Sequence, residues 1–263
     1  MKARINGIEL AYDDHGIGMP VIFLHAFPLN RTMWTGVTTA LLADQRYRLV
    51  ALDWRGFGES ELGDTISSME LLADDLAALM DRLGMQAAVL CGLSMGGYVA
   101  FAFLRKYPQR VSGLILADTK PAADSEEARV AREDVARLAE TQGPGAIADL
   151  QIPRLLAEQT RQQRPEVEIH VRRMIDAATP PGIAAASRGM AQRQDATALL
   201  ATIQCPTLVI VGERDMLTPP GVAREYASQI AEARFAIIPR AGHLSNLEQP
   251  ERFLEEVRIF LNS

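Results

Sequence analysis

Cysteine is nearly absent from the 263-residue chain: there are two, Cys91 and Cys205. One closes an apolar run and the other opens one. In a parallel sheet those ends lie a strand length apart, roughly 15 Å at ~3.3 Å per residue, whereas a disulfide needs Cα atoms within ~7 Å. Two reduced thiols predict a cytoplasmic protein. The opening stretch "MKARINGIELAYDD" has no apolar run of signal-peptide length. No segment approaches the ~20 apolar residues of a membrane span, so no membrane partner is expected. Basic residues are outnumbered 27 to 33, for a net charge of −6, which argues against nucleic acid as a partner. Arg161, Arg164, Arg172 and Arg173 are interleaved with Glu158, Glu166 and Glu168 and read as a solvated helix face. No His/Cys/carboxylate cluster has metal-ligand spacing, so neither a metal nor another cofactor is implied.

What remains is an ordinary globular composition, 48% hydrophobic and 23% charged, able to bury a sizeable core. Short apolar runs read as strands at Ile8–Tyr12, Val21–His25, Tyr47–Asp53, Ala87–Cys91, Val111–Ala117, Thr207–Gly212 and Phe235–Ile238. Helical spacing falls between them, at Ser68–Leu83 and Ser94–Tyr107, and Pro250–Leu261 closes the chain as an amphipathic helix. Strands and helices alternating with crossover-length connections predict an α/β fold, a mostly parallel sheet covered on both faces. Residues 120–200 break the alternation. They contain no convincing strand, and Gly143-Pro144-Gly145, Pro153, Pro165 and Pro180-Pro181-Gly182 punctuate them into several short helices. The expectation is a core of residues 1–119 and 201–263, with a helical cap inserted over one end of the sheet.

The stretch "VLCGLSMGGYVAF" places Ser94 between glycines, where a buried strand turns into a helix. Gly92-Leu93-Ser94-Met95-Gly96 fits G-x-S-x-G in its confirming strand–turn–helix context. Glycines without Cβ atoms let strand and helix approach closely, and the helix N-terminus favours developing negative charge. Ser94 is therefore the candidate nucleophile, and it needs a base. The chain offers four histidines: His15, His25, His170 and His243. The chain order Ser, acid, His leaves the last two. His170 sits in an arginine-rich helix and reads as surface. His243, in "IPRAGHLSNLEQP", follows the last strand at the sheet edge that also carries Ser94. Asp215, in "TLVIVGERDMLTPP", is the preferred acid, with Asp118 after "GLILA" as competitor and Glu213 a lesser one. Two N–H donors should meet the oxyanion of a tetrahedral intermediate. The backbone of Met95 supplies one, and Phe27 in "LHAFPLN" the other. His25 reads as a brace for that loop.

Together "HAFP", "DWRGFGES", "GLSMGG", "VGERD" and "AGHLSNLEQP" run in an order that resembles the α/β-hydrolase superfamily over essentially the whole chain. Within it the sequence is similar to small bacterial carboxylesterases, 3-oxoadipate enol-lactonases and cofactor-free haloperoxidases. The resemblance implies Ser94, Asp215 and His243 as triad, Phe27 and Met95 as oxyanion donors, and a helical cap. One departure is visible. Those families read His-Gly-x-Pro where this chain has Ala26, and alanine would strain the loop if φ there were positive.

The function expected is hydrolysis of small to medium acyl esters through an acyl-enzyme, the partner being a small-molecule ester. Lactone or enol-lactone hydrolysis and perhydrolysis or acyl transfer are the enzymatic alternatives, and a ligand-binding hydrolase-like protein is the other. Trp34, Ile147, Ile152 and Met174 are the candidate pocket residues.

Overall fold

The computed structural model describes residues 1–63 and 66–263. Its eight strands are β1 (Lys2–Ile5), β2 (Ile8–Gly16), β3 (Met19–Leu24), β4 (Tyr47–Leu52), β5 (Ala88–Leu93), β6 (Val111–Ala117), β7 (Thr207–Gly212) and β8 (Arg234–Ile238). They form one sheet in the order β1-β2-β4-β3-β5-β6-β7-β8. From β4 to β8 every pairing is parallel, while β1/β2 and β2/β4 are antiparallel. The mostly parallel sheet predicted from the alternation is present, and the antiparallel edge is new. "KARI" is too short and polar to stand out as a strand. It is held by its ladder to β2, which runs on to Gly16 rather than stopping at Tyr12.

Helices α1 (Thr35–Leu42), α2 (Met69–Arg82) and α3 (Met95–Lys106) belong to the first half of the sheet. Then α4 (Glu126–Leu155), α5 (Glu158–Gln163), α6 (Pro165–Asp176) and α7 (Pro180–Ala191) intervene between β6 and β7. The core resumes with α8 (Pro220–Ala227), α9 (Ser245–Glu248) and α10 (Pro250–Leu261). Central strands β5 and β7 are buried at every residue, as expected of strands covered on both faces. Both cysteines are free thiols.

The helical insertion is punctuated as its glycines and prolines predict: at Gly143, φ 79° and ψ −177° leave helical backbone, so α4 is two helical pieces meeting at a kink, the second running on through Pro144 to Leu155. Main-chain contacts are among those that fix the insertion to the core, and two of them bear on the site. At Gly56, in the loop after β4, an added Cβ would lie 2.6 Å from the Gly182 Cα, so loop and α7 touch backbone to backbone. At the other end the Leu155 carbonyl accepts from both the His243 N–H (3.0 Å) and the Leu244 N–H (3.2 Å).

Candidate active site

Ser94 stands between β5 and α3 at φ 53° and ψ −112°, in the positive-φ half of backbone space that residues with a Cβ rarely occupy. Its glycine neighbours are required sterically. A Cβ on Gly96 would meet the Leu24 carbonyl oxygen at 2.1 Å, and one on Gly92 the Gly96 oxygen at 2.5 Å. The turn is tied down through the Ser94 backbone. Its N–H donates to Ala117 O at 3.0 Å, and its carbonyl accepts from the Thr119 hydroxyl at 2.9 Å. Serine commonly caps helices with its hydroxyl, but at α3 the Ser94 side chain makes no capping bond.

The hydroxyl is instead 2.8 Å from His243 Nε2. The opposite ring nitrogen, Nδ1, is 2.8 Å from Asp215 Oδ2. Asp215 also accepts from the N–H groups of Leu217 (2.8 Å) and Thr218 (3.0 Å) and from the Thr218 hydroxyl. Burial pushes the Asp215 carboxyl up, but the facing imidazole and the Thr218 donors outweigh it and hold the carboxyl at about 2. Burial likewise pulls His243 down, and the Asp215 charge overcomes it, so the imidazole titrates above its ordinary value. The carboxylate thus orients Nδ1–H and leaves Nε2 as acceptor toward Ser94.

The other candidates lie elsewhere. Asp118 is fully buried, but it accepts from Gly212 N–H at 2.7 Å and from Ser245, and among the described residues it makes no hydrogen bond to His243. Burial and the neighbouring Asp215 charge raise its carboxyl well above the ordinary range. Glu213 is exposed and accepts from Arg240 N–H at 2.8 Å. His170 is exposed on α6. His25 braces the loop as expected: its Nε2 accepts from Trp54 N–H at 3.0 Å, so Nδ1 carries the proton donated to Ala26 O at 2.9 Å. Burial lowers its pKa to about 4, keeping it neutral.

Phe27 and Met95 both contribute to the site's surroundings. The Phe27 N–H makes no hydrogen bond among the described residues. The Met95 N–H, in the first turn of α3, has no helical acceptor. Ala26 is not among the residues with positive φ, so its methyl costs the loop no strain.

Above Ser94 opens a cavity of about 250 Å³ lined by Phe27, Tyr98, Val135, Leu155, Met190 and His243, among others. None of the four expected pocket residues reaches it. Trp34 is fully buried against Phe23 (ring centroids 5.2 Å) and Phe253 (6.0 Å), where it covers the sheet. Ile147, Ile152 and Met174 are buried in α4 and α6, which pack on each other. Apolar character reports burial but not which of two buried faces a residue serves.

A family model for the alpha/beta hydrolase fold matches residues 19–250. The chain belongs to that family. Among solved structures, this α/β hydrolase is 47% identical to a thermophilic esterase from Thermogutta terrifontis solved with malate bound, over 100% of this chain and 98% of that one, with TM-score 0.96. It is 30% identical to the enol-lactonase from Burkholderia xenovorans LB400 over the full length of both, with TM-score 0.92. A bromoperoxidase from Bacillus anthracis, 24% identical over 100% of this chain and 99% of that one at TM-score 0.89, shares the fold.

Several residues of the hydrolase site escaped sequence reasoning. Glu248, fully buried, accepts from Gly242 N–H (2.8 Å), Ala157 N–H (2.9 Å) and the Thr160 hydroxyl (2.6 Å), joining the insertion to the His243 loop. Lys120, Arg132 and Arg154 line the cavity. Lys120 follows the strand that ends beside Ser94, a placement the strand register could have shown. The two arginines belong to a charged helix whose periodicity gives no sign of a cavity.

Proposed function

We propose that the protein is a serine hydrolase of carboxylic esters acting through an acyl-enzyme. The observation that carries the reading is the continuous hydrogen-bonded chain Asp215–His243–Ser94, with 2.8 Å at each imidazole nitrogen. Ser94 Oγ attacks the ester carbonyl as its proton passes to His243 Nε2. Asp215 keeps its negative charge and stabilises the imidazolium. The Phe27 and Met95 N–H groups receive the oxyanion. Collapse expels the alcohol, which takes the proton from His243, and water then repeats the sequence on the acyl-enzyme. The helical insertion acts as a lid that shapes the acyl cavity.

The 47% identical esterase supports this reading over the full chain. A second reading, lactone hydrolysis by the same steps with a tethered leaving group, is supported by the 30% identical enol-lactonase. Initial rates on p-nitrophenyl acetate and butyrate, beside a lactone panel, separate the two. In either case Ser94→Ala should abolish turnover without unfolding the protein, and a fluorophosphonate should phosphonylate Ser94 alone, adding the reagent's mass less HF as fluoride leaves. Retention of more than a few per cent of kcat, with contamination excluded, rules the nucleophile out.

A further inference from the structure

Lys120 directly follows Thr119, whose hydroxyl is bonded to the Ser94 carbonyl at 2.9 Å, so the lysine leaves β6 beside the serine turn. It is half-buried and lines the cavity together with Ser94. Among the described residues its Nζ has neither an ion pair nor a hydrogen bond, unlike the nearby Arg132 and Arg193. Arg132 and Arg193 share Asp124, at 3.1 and 2.8 Å. Among the described residues, Asp124 is the one carboxylate lining the cavity, against Lys120, Arg132 and Arg154. Behind the lining, the Arg193 guanidinium lies 4.2 Å over the Tyr98 ring and adds a further positive charge. A chain of net charge −6 thus keeps a cluster with positive charge in excess above its serine.

We propose that Lys120, supported by Arg132 and Arg154, is the anchor for a carboxylate, and that the substrate is an ester carrying a free carboxylate at one end. This inference rests on the serine-esterase reading and names its substrate class. The cavity sets the size: about 250 Å³ suits a short chain between ester and carboxylate. Val135, Leu155 and Met190 offer that chain an apolar wall. Burial, with Arg193 and Arg132 nearby, outweighs the Asp124 charge and pulls the Lys120 ammonium below its ordinary pKa. Hydrolysis consumes one water and releases the acid and the alcohol; the anchored carboxylate takes no part in bond making. The carboxylate belongs either to the acyl half, as in a dicarboxylic hemiester, or to the leaving alcohol, as in an acylated hydroxy acid.

The test compares kcat/KM for monomethyl glutarate with that for its neutral amide counterpart, methyl 4-carbamoylbutanoate. O-butyryl glycolate against its amide probes the alcohol side. One anionic ester should exceed its neutral counterpart by about 10- to 100-fold, the range of one hydrogen bond to a charged group. Lys120→Met should erase most of that ratio, and Lys120→Arg should restore part of it. Glutarate should inhibit the wild type competitively, and more weakly after Arg154→Gln, which provides a second readout if Lys120→Met does not fold. Equal rates on anionic and neutral esters overturn the anchor while leaving the esterase standing. A preference that survives Lys120→Met also overturns it. Absence of turnover on every ester, p-nitrophenyl acetate included, overturns the esterase reading and the anchor with it.

Discussion

Two buried aspartates lie near one histidine, and their hydrogen bonds assign them different work. Asp215 spends one oxygen on the Leu217 and Thr218 N–H groups and turns the other to His243. Asp118 gives both of its oxygens to Gly212 and Ser245. Asp215→Asn should therefore keep the fold and lower kcat by ~10²–10⁴, because the imidazole loses the charge that orients it. Asp118→Asn should cost far less, since the amide oxygen can still accept from Gly212; steady-state rates of the two variants decide the order. The pH profile follows from the same contacts. His243 is raised, so it is protonated and unable to accept below its pKa, and kcat/KM should climb with pH through an inflection above the ordinary ~6.5. Asp215→Asn should move that inflection down, because the carboxylate charge that raises it is gone. An inflection below 6 in the wild type would place the base elsewhere.

At the scale of elements, the strand–turn–helix at β5 and α3 depends on close backbone approach. Gly96→Ala would drive a methyl into the Leu24 carbonyl, which belongs to a buried central strand and has no room to retreat. A loss of at least about 2–3 kcal/mol is expected from denaturant unfolding. By contrast, Gly221→Ala in α8 meets nothing within 4 Å and should be neutral or stabilising by up to ~1 kcal/mol. This element was legible in the sequence because its constraints are local: an apolar run, glycines at fixed spacing and a helical period. His243 and Asp215 were legible because strand ends in a parallel sheet converge on one edge. The antiparallel β1 was not, since four residues carry too little pattern and their pairing with β2 is tertiary. Nor were the cavity walls, because an amphipathic insertion has an inner face toward its own helices and another toward the site. Ile147 and Leu155 lie on the same helix, are both apolar and buried, and only Leu155 meets the cavity.

Across the whole molecule, the insertion and the sheet are joined beside the reacting groups. Glu248 gathers three donors from both sides of the seam, and its removal would orphan all of them at once. Glu248→Leu should cost about 1–3 kcal/mol per unsatisfied donor. Ester turnover should fail at lower urea than global unfolding, as the His243 loop parts from the insertion. Coincident loss of activity and circular dichroism would argue against a separable seam.

The Leu155 carbonyl, which receives the His243 and Leu244 N–H groups, limits how the helical insertion can be exchanged. The tie is made by main chain, so its hydrogen bonds do not depend on which side chain stands at position 155, although that side chain is buried at the cavity wall. It does not tolerate a change of phase. One residue added between Gly143 and Leu155 would rotate the helix end by about 100° at 3.6 residues per turn and swing the carbonyl away from the loop. Transplants of the insertion should therefore succeed or fail by residue count along that half-helix, with composition a secondary matter, and a chimaera series differing only by single insertions there should display a periodicity in activity.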